Sequence, residues 1–417
     1  MASPSPSLDA GFHHRAATSI VVSGDPPRPL RIAHCIHGLG LGGAQQIIAQ
    51  LVRGTARDEF RHFCYASRTG VFHERVERAG ATVRILPRRL LKFDPSWVRS
   101  LARSMREDRI DIVHTYLFGD SLHGYLATKR ANGIPVLMSL HTNRRGQNLL
   151  QRTGYGWLLH RVALTVACSE TVRTSFQPHT PLPEQRFLVV ANGLDSNEIG
   201  PAGSTGRDPF TASYDVPKEA ILIGAVGRLV AIKDFPLLIR AFARLRATTD
   251  ADVRLAIIGD GPHAGRLKRL AKREGVADRV IFTGFRDDVL ACMRRMDVVA
   301  MTSFYEAMPV TVLEAMALGR AIVATRSPGI VDTVRDGEEA VLVDGRDPRS
   351  LSEALLRVVA DPHLRSRLGA SARARFDRDF TASRMVGRYE DLYRSLASRR
   401  SGQHARPLPG GDVEQWL

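Results

Sequence analysis

The chain has 417 residues, 44% hydrophobic and 24% charged, enough apolar material for a full core and, at roughly 100–200 residues per domain, for two domains. An aromatic content of 6%, with 35 Gly and 22 Pro, excludes collagenous, low-complexity and largely disordered chains. The net charge of +16 raises nucleic acid and anionic membranes as partners, but the basic residues are interspersed with acids rather than blocked, and the first half carries most of the excess.

Cys35, Cys64, Cys168 and Cys292 lie far apart with no CxxC pair, which argues against a disulfide framework or zinc knuckle and fits a reducing cytoplasm. No apolar run reaches 18 residues, so no spanning helix is expected. Residues 1–30 are polar and Pro/Ser-rich with only a short apolar patch at 20–22; they read as a flexible tail, not a signal peptide.

From Arg31 onward, β-rich runs at 32–36, 63–66, 82–86, 112–115, 136–140, 164–167 and 187–190 alternate with helical stretches such as 44–52, 95–106 and 117–130. That is the rhythm of βαβ units and a parallel sheet. A looser Gly/Pro/Ser/Thr/Asp-rich segment follows at 192–217, whose part 201–217 is read as the linker. The pattern restarts with strands at 221–226, 254–258, 280–283, 298–301, 321–324 and 341–343. The fold class is therefore α/β, with two doubly wound Rossmann-like units, 31–200 and 218–379, and a frayed tail at 399–417. Such sheets bind ligands beyond the carboxyl ends of their strands, so two facing units would enclose a cleft.

The loops at those ends carry the chemistry. After the first strand, Gly38-Leu39-Gly40-Leu41-Gly42-Gly43-Ala44-Gln45 is a glycine-rich turn opening a helix, suited to close approach by a phosphate. The next strand ends without an acidic residue for a ribose, which disfavours a nicotinamide enzyme. In the second unit, Arg228 and Lys233 follow the first strand, Gly259-Asp260-Gly261-Pro262 the second, Thr283-Gly284-Phe285-Arg286 the third, and a segment with Glu306 and Glu314 the fourth. Pro309 marks a helix start, leaving Glu306 in the loop and Glu314 inside the helix. Cations for a diphosphate, glycine turns for a base and carboxylates for vicinal hydroxyls make a nucleotide-sugar inventory.

The composite resembles glycosyltransferase family 4, retaining enzymes of the GT-B fold. Glu306 and Glu314 match its E-x7-E motif within SFYEAMPVTVLEAMALGRAIVAT, and VGRLVAIKDF, IIGDGP, TGFRDDV and GLGLGGAQ are further matches, so the resemblance spans residues 31–397. It implies that Arg228 and Lys233 bind the donor diphosphate and stabilise its departure, that Glu306 contacts the transferred sugar and Glu314 the ribose, and that Gly284 and Phe285 read the base. Val310 and Thr311 fall in the same donor-binding stretch, and Gly42 and Gly43 would approach from the opposite wall. Residues 380–398 would return as a helix to the first domain.

The chain departs from the family pattern twice. It reads Val113-His114-Thr115-Tyr116 where a second histidine is common, and Gln45 stands in place of a glutamate. His114, Asp120 and His141 are left as candidates for the sugar-contacting role.

The resemblance implies transfer of sugar from a nucleotide-diphosphate donor, as co-substrate rather than cofactor, to a glycan, lipid-linked or small-molecule acceptor. Leaving-group charge would be met by Arg228 and Lys233, with no catalytic metal. Asp377-Arg378-Asp379 is a DxD match read as a solvated helix junction. A GT-B epimerase is the alternative within enzymes, and a basic nucleic-acid binder the alternative outside them; no aromatic-interleaved basic element supports the latter, and no nucleic-acid partner is expected. Finally, Arg84, Arg88, Arg89, Lys92, Arg99, Arg103, Arg106 and Arg109 accompany Leu90, Leu91, Phe93, Trp97, Val98 and Leu101. The mixture suits peripheral contact with an anionic membrane, or else simply a helix packed on its sheet with solvated arginines.

Overall fold

The computed structural model describes residues 28–400, apart from 41, 91–92, 145–146, 180–181 and 200–207. The tails read at 1–30 and 399–417 thus fall outside the described residues, save 28–30 and 399–400.

In chain order the strands are β1 (Leu30–Ile36), β2 (Phe60–Ala66), β3 (Thr82–Ile85), β4 (Ile112–Thr115), β5 (Val136–Leu140), β6 (Leu164–Ala167) and β7 (Phe187–Val189), then β8 (Ile221–Val226), β9 (Val253–Ile258), β10 (Val280–Gly284), β11 (Val298–Met301), β12 (Ala321–Thr325) and β13 (Ala340–Val343). They form two parallel sheets, in the orders β3-β2-β1-β4-β5-β6-β7 and β10-β9-β8-β11-β12-β13. In each, the order reverses beside the unit's first strand, the switch point at which such sheets take ligands. The central strands are buried on both faces, as helix-covered parallel sheets require, while the edge strands β3 and β10 are only partly covered.

Local chemistry fixes the helix starts. Asp94 accepts from Ser96 N at 2.8 Å with Pro95 behind it, opening helix Pro95–Glu107. Asn148 and Gln151 form a capping box at helix Leu149–Leu159, and Asp361 caps helix Pro362–Asp379.

Of the segment read as a linker, residues 201–207 lie outside the described residues. Residues 208–217 carry the short helix Thr211–Tyr214, and Phe210 and Val216 sit in the core. The last helix, Ala382–Arg400, leaves the second unit and packs on the first. Its Met385, Val386, Tyr389, Leu392, Tyr393 and Leu396 join Ile32, Ile47, Leu51, Ile112 and Leu137 in one apolar cluster. Gly193 allows the crossing, because a Cβ there would meet Thr381 O at 2.3 Å. All four cysteines are free and buried. Among the described residues no helix is long and apolar enough to cross a membrane.

Candidate active site

The two sheets turn their carboxyl edges toward each other. Ser169, just after β6, donates to Ala307 O at 2.8 Å, Thr171 N donates to Asp332 at 2.8 Å, and a Cβ on Gly43 would touch Val310 at 3.4 Å. The expected cleft is therefore lined by the loops singled out in both units.

In the second unit these loops are joined side by side. Leu229 N donates to Asp260 O and Gly259 N to Gly284 O, both at 2.9 Å. The approach demands glycine: a Cβ on Gly259 would lie 2.1 Å from Gly227 O, and φ there is 132°. Arg228 projects from this platform, exposed and without an ion pair among the described residues. Lys233 Nζ donates to Glu306 Oε1 at 2.6 Å. Both members are mostly shielded, so Lys233 and Glu306 hold each other in a fixed place.

Other groups hold that place. Thr302 Oγ1 donates to Lys233 O at 2.8 Å, Phe304 N to Ile232 O at 2.8 Å, and Glu306 N to Pro328 O at 2.9 Å. Gly329, at φ 81°, passes so close that a Cβ would sit 2.4 Å from Glu306 O. Arg346 pairs with Asp234, donates to Thr302 O and stacks 3.5 Å from the Phe304 ring. Neither Arg346 nor Gly329 was singled out from sequence. Gly329 had a signal, the Ser-Pro-Gly turn one residue after β12; Arg346 lies 112 residues from Asp234 and had none.

Glu306 is in the loop and Glu314 inside helix Val310–Ala317, as the spacing predicts, with Pro309 at the N-cap and Val310 and Thr311 in the first turn. Burial pushes the Glu314 carboxyl up to about 7, a hydrogen bond from Gln46 and the charge of Arg75 offsetting only part. Gln46 and Arg75 belong to the first unit, so Glu314 is shared across the cleft; sequence reading missed both. Arg75 in turn donates to Glu198 at 2.6 Å. Gly284 takes φ 71°, and Phe285 beside it is 52% exposed, a flat ring at the edge of the platform.

On the first wall, helix Gly43–Gly54 starts at the glycine turn, with Gly42 at its N-cap; Leu41 lies outside the described residues. Gln45 faces inward, donating to Gly38 O at 2.9 Å, and so braces the turn. Asp120 is buried in the first turn of helix Phe118–Arg130, its Oδ2 3.7 Å from His37 Nδ1. Burial raises the Asp120 carboxyl, with His37 pulling the other way. His37, missed from sequence although it precedes the glycine run, is the exposed member of that pair.

His114 requires a correction. It is fully buried, with Nδ1 2.8 Å from Tyr393 OH and Nε2 2.7 Å from Ser139 Oγ. It belongs to a polar stack under the sheet in which Thr55, His62, His34 and Tyr116 connect in sequence. Both ring nitrogens are spent there and the ring does not reach the cleft, so His114 is a structural histidine. His141 stacks on Tyr116 at 5.7 Å between ring centres, with Nε2 buried and unpartnered, and burial lowers it to about 4.

The basic segment resolves in favour of packing for its apolar half: Trp97, Val98 and Leu101 are buried, leaving Leu90 and Phe93 exposed, while Leu91 and Lys92 lie outside the described residues. Asp377-Arg378-Asp379 ends helix Pro362–Asp379, where Asp377 pairs with Arg373 at 2.7 Å and Asp379 with Arg378 at 2.8 Å.

Two family profiles match the chain, Glycosyltransferase Family 4 over residues 41–198 and Glycosyl transferases group 1 over residues 207–375. The chain is 29% identical to the D-inositol 3-phosphate glycosyltransferase of Acidothermus cellulolyticus over 96% of this chain and 98% of that one. It is 30% identical to that of Salinispora tropica over 75% and 70%. The crystal structure of HepE from Anabaena in complex with UDP and glucose superposes with a TM-score of 0.78 at 20% identity, covering 87% of this chain and 99% of that one. Matched over both units, and with the GT-B architecture of two facing Rossmann-like sheets, the chain belongs to glycosyltransferase family 4.

Proposed function

We propose that this glycosyltransferase is retaining and takes its sugar from a nucleoside-diphosphate donor bound on the second unit's loops. The observation that carries the reading is the Lys233–Glu306 contact of 2.6 Å beside exposed Arg228. Breaking a glycosyl phosphate puts negative charge on the departing diphosphate and positive charge on the sugar ring. A cation and a carboxylate fixed side by side match that pair of charges, the cation meeting phosphate and the carboxylate the sugar hydroxyls. Glu314 takes the ribose hydroxyls, Gly284 and Phe285 the base, and the helix start at Gly43 approaches the diphosphate from the other wall. Retention follows from attack on the face the diphosphate leaves, one of its oxygens taking the acceptor proton.

The acceptor, a glycan, lipid-linked or small hydroxyl compound, lies on the wall that carries His37 and Asp120; the relatives from Acidothermus cellulolyticus and Salinispora tropica are named for D-inositol 3-phosphate. No cofactor or metal is needed in this reading, because Arg228 and Lys233 supply the charge a divalent ion would bring. The protein works in the cytoplasm, with peripheral contact to an anionic membrane through the arginines of helix Pro95–Glu107 and exposed Leu90 and Phe93. The test is incubation with a panel of nucleotide sugars and mass-spectrometric detection of released nucleoside diphosphate. Release from none of them, with or without candidate acceptors, overturns the reading.

A further inference from the structure

The second unit has another concavity, at the opposite edge of its sheet. Asp297 immediately precedes β11 and Ala321 opens β12, so this cavity of about 650 Å³ lies at the strands' amino ends, away from the donor loops. Its wall is a stripe of helix Pro362–Asp379 in which Arg365, Gly369 and Arg373 recur every four residues; Arg320 closes the other side. Gly369 packs so tightly on the Gly319 turn that a Cβ would stand 2.2 Å from Gly319 O.

Three guanidiniums are thereby held in set orientations. Arg320 Nη1 donates to Arg294 O and Met296 O at 3.2 Å, Arg365 Nη1 to Val358 O at 2.9 Å, and Arg373 Nη1 to Ala317 O at 2.6 Å. Each bond ties one nitrogen to a carbonyl at a helix end, while a guanidinium has five N–H donors. The charges are not balanced. Arg373 pairs with Asp377, and Asp297 is taken by Arg295 and Leu222 N. Arg320 and Arg365 form no ion pair among the described residues, although both are partly buried. Burial pulls Arg320 below the ordinary guanidinium value, the nearby charge of Asp297 offsetting only part.

We propose that this cavity binds a small phosphorylated anion at a site separate from the donor loops. Arg320 and Arg373 also spend Nε, on Leu318 O and Asp377, so each offers Nη2, while Arg365 offers the Nε and Nη2 pair; such donors match phosphate oxygens, and the volume suits a metabolite rather than a bare ion.

The test uses the full chain carrying Arg228→Ala and Lys233→Ala, so that diphosphate is not held at the donor loops, titrated calorimetrically with inorganic pyrophosphate. One saturable site is expected, weakened tenfold or more by Arg365→Gln. Because Arg365 also caps a helix, a second variant decides independently. Ala370→Glu, at an exposed position on the cavity wall, keeps every guanidinium hydrogen bond and sets a carboxylate over the opening. It should abolish binding while leaving circular dichroism unchanged. Absence of saturable binding in the parent, or unchanged affinity in a folded Ala370→Glu protein, overturns the proposal.

Discussion

Donor affinity should depend on pH through Glu314. Its carboxyl rises from 4.5 to about 7 on folding, about 3 kcal/mol in favour of the protonated form. Ribose hydroxyls donate to a carboxylate better than to a carboxylic acid, so binding should draw off the proton. With a value near 7, the ionised fraction is about one tenth at pH 6 and nine tenths at pH 8, so the apparent Kd should fall about tenfold between them. An intact nucleotide sugar is the appropriate ligand, its diphosphate carrying no proton in this range. Calorimetry in two buffers of different ionisation heat should count nearly one proton released at pH 6, and Glu314→Gln should bind with no such slope. The same shift sets a stability test. The folded protein holds this proton between 4.5 and 7 where the unfolded chain does not, so stability declines as pH rises through that window. Glu314→Gln should therefore unfold at higher temperature than the parent at pH 8, but not at pH 4. A wild-type Kd unchanged from pH 6 to 8, or a slope that persists in Glu314→Gln, refutes the ribose assignment.

Arg228→Ala and Lys233→Ala should each lower turnover by about 100-fold or more, the scale for removing a prealigned charge donor, measured as initial rates of nucleotide release. Activity should survive EDTA; loss restored by Mg²⁺ or Mn²⁺ would contradict a charge-neutralising role for the two cations. The buried stack should make the first unit acid-labile. Burial lowers His62 to about 4, and His34 and His114 well below 6.5, so stability is complete above pH 6.5 and lost as pH falls toward 4. His62 alone accounts for about 3 kcal/mol, readable by urea titration at pH 7 and 4. Reversing exposed Arg99, Arg103 and Arg106 to Glu should reduce cosedimentation with anionic vesicles while nucleotide release continues; equal sedimentation with neutral vesicles would count against membrane contact.

The strands were legible because each is a short β-branched run bounded by polar or glycine-rich turns: 112–115, 136–140, 164–167, 221–226 and 298–301 coincide with β4, β5, β6, β8 and β11. The E-x7-E segment was legible because its two carboxylates are local to one loop and helix. His114 was not, since strand alternation does not say what packs against each face of a sheet, and its partner Tyr393 is 279 residues away. For the same reason Gln46 and Arg75 could not be assigned to Glu314, which they meet only once the two units dock. Trp97 was ambiguous in another way: arginines on one face and apolar groups on the other describe a helix on a membrane and a helix on its own sheet equally well.

The return of helix Ala382–Arg400 to the first unit has a consequence for the order of synthesis. The seven strands of the first sheet leave the ribosome before any of the second, yet the slot against Ile32, Ile112 and Leu137 is filled only by residues 385–396. Until then, His114 beneath that sheet lacks Tyr393 as a partner. On the second unit, by contrast, one face of the sheet has its apolar cluster complete by Leu368 and the other by Phe380. The half synthesised first is thus finished last, and a chain interrupted near residue 380 would harm the half whose sequence it had left intact.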